Sequence, residues 1–179
     1  ANPSSNSFNL QSAECTERVE NAYKKFAYSE AIVSLAWIPG QPNCIATGTG
    51  KMWLRMYDMR DPNKMTSVAA HSTKAIHSIC FDPQRDWCFA TFAEEPVIKI
   101  WDVRNLSNQQ SANEPVMSIQ TNSKIQQIQW SYTRGAGILA SIAKGENFVR
   151  LWNVNTGLLQ SEKVKATDKK SAEKCKLWG

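Results

Sequence analysis

Apolar positions along the chain fall into short runs. Residues 32–39 read IVSLAWIP, residues 44–50 read CIATGTG and residues 53–60 read WLRMYDMR. These runs are rich in β-branched and aromatic residues and are bounded by Pro, Gly, Asn and Asp. That pattern predicts strands, not helices. The three runs then return. Residues 76–83 read IHSICFDP, 87–94 read WCFATFAE and 97–104 read VIKIWDVR. A third set follows: IQQIQWSY at 125–132, GILASIA at 137–143 and FVRLWNVN at 148–155. Self-similarity of this kind marks a repeat architecture.

The spacing inside the repeats supports this. The third runs align at Tyr57-Asp58, Trp101-Asp102 and Trp152-Asn153, separated by 44 and 51 residues. The aromatics closing the first runs, Trp37, Phe81 and Trp130, precede those pairs' aromatics by 20, 20 and 22 residues. Thr47 and Thr91 each stand ten residues before the later aromatic, and Ser141 stands eleven before it. The two extra residues of the third repeat are placed around Gly135 to Gly137, and the longer gap after the second repeat in the polar stretch 105–114. Fourth strands are expected at 65–70 and 115–121. The third run of each repeat is apolar on both faces except for Arg55, Lys99 and Arg150, so its sheet is expected to be covered on both sides. Four-stranded sheets at a period near 44 predict propeller blades. The expected fold is all-β: a propeller sector of about three four-stranded blades, at about 30–71, 72–121 and 122–160. A polar segment 1–29, read as part of a preceding blade, comes before them. A basic segment 161–179, read as a disordered tail, comes after. Three blades do not close a ring, so the sector is expected to belong to a longer propeller or to be completed by another chain.

These residues resemble the WD40-repeat family. Its Trp-Asp pair is literal at Trp101-Asp102 and varied at Tyr57-Asp58 and Trp152-Asn153. The resemblance makes Trp37, Phe81 and Trp130 structural positions as well. It also implies a hydrogen-bond network of His71 with Thr91 and Trp101, completed by Glu94 or Glu95. Repeats one and three lack a matching His. The stretches LAWIP (35–39), YDMRD (57–61), Asp82-Pro83, WSYTRGAGILA (130–140) and FVRLW (148–152) resemble the Mios family of GATOR/SEA-complex subunits. That resemblance implies a scaffold for protein–protein interaction whose partners are other propeller and solenoid subunits. The implied role is regulation of TOR signalling in response to amino acids, in the cytoplasm and at the lysosomal surface through the complex. The family also implies a helical solenoid and a zinc-binding C-terminal region. Neither is visible in these 179 residues, and the sequence after Gln160 departs from the pattern.

Composition narrows the chemistry. With 42% hydrophobic and 21% charged residues the chain can build a core. The net charge is +5, but segment 161–179 has six Lys against three acids and supplies +3 of it. The basic character therefore belongs to the tail, which argues against a nucleic-acid-binding face. The five cysteines show no C-x-x-C spacing and are expected to be reduced thiols. No secretory signal is read at the start, and no apolar run is long enough to cross a membrane. Gly48-Thr49-Gly50-Lys51 lacks the spacing of a phosphate loop. His71 and His77 have no metal-ligand neighbours in sequence, Glu94-Glu95 are adjacent in a turn, and no nucleophile stands beside a base. No catalytic residue, metal or cofactor is expected.

The residues expected to meet partners are Arg60, Arg104, Trp53 and Trp87. The two arginines each close a W/Y-D-x-R box, which resembles the substrate receptors of cullin-RING ubiquitin ligases and supplies the alternative function. Pairing of each Arg to the Asp two residues earlier is the structural alternative. Trp53 and Trp87 lie outside the aligned positions and are read either as anchors at the rim or as cover for a neighbouring blade. Arg55, Lys99 and Arg150 are expected to pack their stems between blades with their charged heads at the rim.

Overall fold

The computed structural model describes residues 30–156 apart from 62, 73, 107–113, 134 and 136. Segments 1–29 and 161–179 lie outside the described residues. The chain forms three antiparallel sheets. The first holds β1 (Ile32–Trp37), β2 (Cys44–Thr49), β3 (Trp53–Asp58) and β4 (Met65–Ala69), in that order. The second holds β5 (Ile76–Asp82), β6 (Arg85–Ala93), β7 (Val97–Asp102) and β8 (Met117–Gln120). The third, among the described residues, holds β9 (Ile125–Trp130), β10 (Ile138–Ala143) and β11 (Arg150–Asn153). This is the expected partial propeller, with each sheet a meander. The first strands gather on one side, β1 against β5 and β5 against β9.

Short helical turns interrupt the all-β pattern, one of them at 154–156. After Asp102 the chain makes a single helical turn, α1 (Val103–Leu106), at the start of the stretch expected to be a polar loop. Val103 and Leu106 lie three residues apart, so the turn points both into the core, where they are 8% and 3% exposed.

The repeat is a register, not only a spacing. Thr47 pairs with Arg55, Thr91 with Lys99 and Ser141 with Arg150. Trp101 pairs with Phe89 and Trp152 with Leu139. The extra residues of the third repeat are therefore divided, unlike the single insertion expected near Gly135. One lengthens the β9–β10 connection, because Trp130 pairs with Leu139 where Phe81 pairs with Phe89. The other lengthens the β10–β11 hairpin, where it leaves the paired registers untouched.

Strand alternation divides each blade between two apolar seams. In the second sheet Cys88, Ala90, Phe92, Ile98 and Ile100 face the third sheet, where Ile128, Trp130 and Leu139 meet them. Phe89 and Trp101 face the first sheet and meet Ile38, Leu54 and Val68. Each large side chain so buried contributes roughly 1.5–3 kcal/mol. The approach at the first seam depends on Gly48, which lies inside β2 and not in a turn. A Cβ there would stand 2.7 Å from the Ile76 Cβ and 2.4 Å from the Ser34 Oγ. Ser34 Oγ uses that space to donate to the Ile76 carbonyl at 2.6 Å.

Candidate functional site

Blade two carries a buried polar chain. Trp101 Nε1–H donates to Thr91 Oγ1 at 2.8 Å, and Thr91 Oγ1 lies 2.9 Å from His71 Nε2. His71 Nδ1 meets Glu95 Oε1, and Ser72 Oγ donates to the other Glu95 oxygen at 3.2 Å. One set of directions satisfies every atom: Thr91 donates to Nε2, and Nδ1–H donates to the carboxylate. That set needs a neutral imidazole. Burial depresses the His71 pKa below its ordinary 6.5, outweighing the hydrogen bond to Glu95 that would raise it. For Glu95, burial works to raise the carboxyl pKa, but the hydrogen bond from His71 and the positive charge of Lys99 prevail, and the net shift is downward. Glu95 is thus the acid in contact with His71. Glu94 instead faces His77 across 3.7 Å.

The other repeats carry reduced versions. Trp152 Nε1–H donates to Ser141 Oγ at 2.8 Å, and Asn153 Oδ1 accepts from the Asn155 N–H at 3.1 Å. In blade one Tyr57 is buried at 5% exposure, and Thr47 Oγ1 donates to the Arg55 carbonyl at 3.4 Å.

Arg60 and Arg104 fold back onto their own boxes. Arg60 Nε and Nη2 reach the two Asp58 oxygens at 3.0 and 2.7 Å, and Arg104 makes the same fork with Asp102 at 3.0 and 2.7 Å. The Arg60 hydrogen bonds hold the Asp58 pKa down at about 2. Both guanidiniums remain more than half exposed, at 70% and 62% for the side chains. The Asp at the second box position orients an outward-facing cation and is itself nearly buried.

Trp87 is not a projecting anchor. Its ring packs against both apolar clusters and is flanked by Arg104 at 4.3 Å and Arg85 at 5.5 Å. Two seams and two cations use its faces, which explains why a residue outside the aligned positions is large and aromatic. Trp53, at the start of β3, is likewise partly buried. The basic set also turns inward. Arg55 binds Glu30 at 2.8 Å, Lys99 Nζ donates to the Ala70 carbonyl at 2.7 Å, and Arg150 binds Glu146 at 2.9 Å. Their heads tie loops to sheets instead of reaching the rim.

Two groups of residues escaped sequence reasoning. The first is a polar latch between blades two and three. Asp82, with no exposed surface, accepts from Arg85 Nε at 2.7 Å and from the Gly137 N–H at 3.2 Å. Arg85 Nη1 donates onward to Asn155 Oδ1 at 2.8 Å. Its partners lie up to 70 residues apart, so no local pattern signals it. The second group is apolar and exposed. Leu35 (65%), Trp37 (55%) and Val33 (44%) line the outer face of blade one, while Val149 (59%), Phe148 (50%) and Leu151 (46%) are exposed on blade three. The aligned positions in the other repeats were the available signal. Among the described residues no group of three His, Cys, Asp or Glu could hold a metal ion. Cys44, Cys80 and Cys88 are free thiols, and burial pushes Cys88 up to about 11. No helix among the described residues is long and apolar enough to cross a membrane.

A family model described as the WD40 repeat of MIOS matches residues 7–175. The chain belongs to the MIOS WD40 repeat family. The match extends on both sides of the repeats read at 30–160. Among relatives, the chain is 39% identical over 163 residues to the GATOR2 complex protein MIOS of Dictyostelium discoideum. That alignment covers 90% of this chain and 14% of the relative. It is 32% identical over 91 residues to the SEH-associated protein 4 of Saccharomyces cerevisiae, covering 51% of this chain and 8% of that protein. It is 37% identical over 67 residues to the RbAp48-related WD40 repeat-containing protein prw1 of Schizosaccharomyces pombe, covering 35% and 15%. The chain thus spans about a seventh of the length of its MIOS relative. As a MIOS-family WD40 sector it presents rigid blades, with loops and side chains such as Arg60 and Arg104 held at their edges.

Proposed function

We propose that the chain is part of a scaffold subunit in a GATOR/SEA-type complex that regulates TOR signalling in response to amino acids. The observation that carries this reading is the 39% identity to a GATOR2 complex protein over 90% of the chain. The geometry is consistent with it. The sheets are rigidly registered, the buried polar groups are organised to hold structure, and the exposed features are apolar faces and oriented arginines suited to protein partners. The action is presentation without chemistry on a bound ligand, and the partners are other propeller and solenoid subunits. The setting is the cytoplasm, with peripheral association to the lysosomal membrane through the complex.

Purification of the tagged full-length protein from its own cells, with and without amino acids, tests this reading. The expected result is recovery of several propeller subunits together, and loss of amino-acid-dependent phosphorylation of TOR substrates when the gene is removed. Recovery of a cullin adaptor in their place, lost in Arg104→Ala, would replace it with the ubiquitin-ligase reading.

A further inference from the structure

The first strand of each blade carries a bulge at the same position. Ile32 pairs with Thr49 and Ser34 with Gly48; Ile76 pairs with Ala93 and Ser78 with Phe92; Ile125 pairs with Ala143 and Gln127 with Ile142. Each pairing skips one residue, Val33, His77 or Gln126, and a bulge re-aims the side chain that it carries. At the first seam the blades close on each other beside the bulge. Gly48 has no side chain there, Ile76 is fully buried against it, and Ser34 Oγ bridges the two blades by donating to the Ile76 carbonyl at 2.6 Å. At the second seam Phe92 stands in the register position of Gly48, and Ser78 in that of Ser34. Among the described residues Ser78 Oγ makes no such bridge. A cleft of about 460 Å³ opens there instead, lined by His77, Ser78, Phe92, Ile125, Gln126 and Gln127. All six belong to blades two and three, so no further blade is needed to form it.

We propose that this cleft docks an extended segment of a partner protein in which an aliphatic residue stands next to a lysine or arginine. The floor of the cleft is apolar. Phe92 and Ile125 are 4% and 6% exposed, and the His77 ring lies tilted beside Phe92 with 6.2 Å between centroids. Such a floor takes an aliphatic side chain out of water. The walls are neutral and polar. The Ser78 hydroxyl and the exposed Gln126 and Gln127 amides each donate and accept, which matches the alternating N–H and C=O groups of an extended main chain. The charge at the mouth is acidic: Glu94 is 48% exposed and its carboxylate stands 3.7 Å from His77 Nε2. No lysine or arginine lines the cleft, and exposed Lys124 precedes Ile125 in the chain without lining it. A cation beside the aliphatic residue therefore meets a carboxylate, and an acidic residue in its place would be repelled. The inference stands whichever complex the protein serves.

Fluorescence anisotropy on the full-length protein, purified without partner subunits, tests it. The probes are short, capped, labelled peptides with Leu-Lys fixed at the centre and the flanking positions randomised. The expected result is saturable binding that weakens about tenfold or more when the leucine is replaced by serine. Replacing the lysine by glutamate weakens it about tenfold. Ser78→Trp fills the cleft and abolishes binding. Glu94→Lys changes only an exposed rim residue, so the protein still folds, and it reverses the preference from the Leu-Lys to the Leu-Glu peptides. Absence of saturable binding by the Leu-Lys peptides would overturn the proposal, as would equal binding of the Leu-Lys and Leu-Glu peptides or an unchanged preference in Glu94→Lys. A dimer in sedimentation that the Leu-Lys peptides dissociate would make a second copy the occupant and would overturn it too.

Discussion

Blade two and blade one are built on the same repeat, yet they are held in different ways. Blade two is covered on both faces and carries the chain from Trp101 through Thr91 and His71 to Glu95. On blade one the face turned away from blade two is buried around Thr47, Arg55 and Tyr57 and open along β1. Its aligned threonine reaches only a main-chain carbonyl at 3.4 Å, and its first aromatic lies in solvent. The strands and registers are equivalent, so pairing is a local property of the repeat. Burial and polar satisfaction come from neighbours.

The sharpest way to break this comparison is to truncate the same aromatic in two repeats. Trp130→Ala should cost about 3–5 kcal/mol, because it leaves a cavity in a closed seam. Trp37→Ala in the 179-residue chain should change stability by less than about 0.5 kcal/mol. Urea unfolding of both variants checks this, and equal losses would end the distinction. Next in size is the latch that blade one lacks. Arg85→Met leaves Asp82 buried beside the Gly137 N–H without its cation, and should cost up to about 3–5 kcal/mol. Asp82→Asn with Arg85→Met should recover part of that loss.

Thr91→Val should cost about 1–3 kcal/mol, since it strands the Trp101 N–H and the His71 Nε2 in the core. Thr47→Val should cost less than Thr91→Val. The acid response should follow the same division. His71 resists protonation when folded, so the unfolded chain binds more protons below its ordinary pKa of 6.5. Stability is fully present above that value and falls as the pH drops through it. Below 4.5 the lowered Glu95 pKa adds a further loss. In the full chain His71→Gln should flatten the slope between pH 7 and 5.5 in denaturant titrations, and His77→Gln should not. The smallest effect is expected at the rim. Arg104→Ala should change stability by less than about 1 kcal/mol, because an exposed fork is screened by water.

Much of the fold was legible because it depends on short-range chemistry. Runs of β-branched and aromatic residues between turn formers located every strand of the first two sheets, including β4 and β8. The Thr91–Trp101 contact was legible too, because ten residues along one hairpin bring those side chains to the same face. Glu95 could be narrowed only to a pair, since Glu94 and Glu95 are neighbours and the turn's conformation selects which one meets His71. The Asp82–Arg85–Asn155 latch left no trace, because its members converge only after two blades have packed. Trp87 could be narrowed only to a rim anchor or a blade cover, for a related reason. A large aromatic off the repeat pattern looks like a surface anchor until the seams and cations that enclose it are known.

By itself the sequence determined the repeat and the family, because strand and turn formation are settled within about forty residues. Only the tertiary structure decided which of the repeated apolar positions are dry. Burial is a relation between sheets, and the same tryptophan is core in β9 and surface in β1 according to what stands beside it.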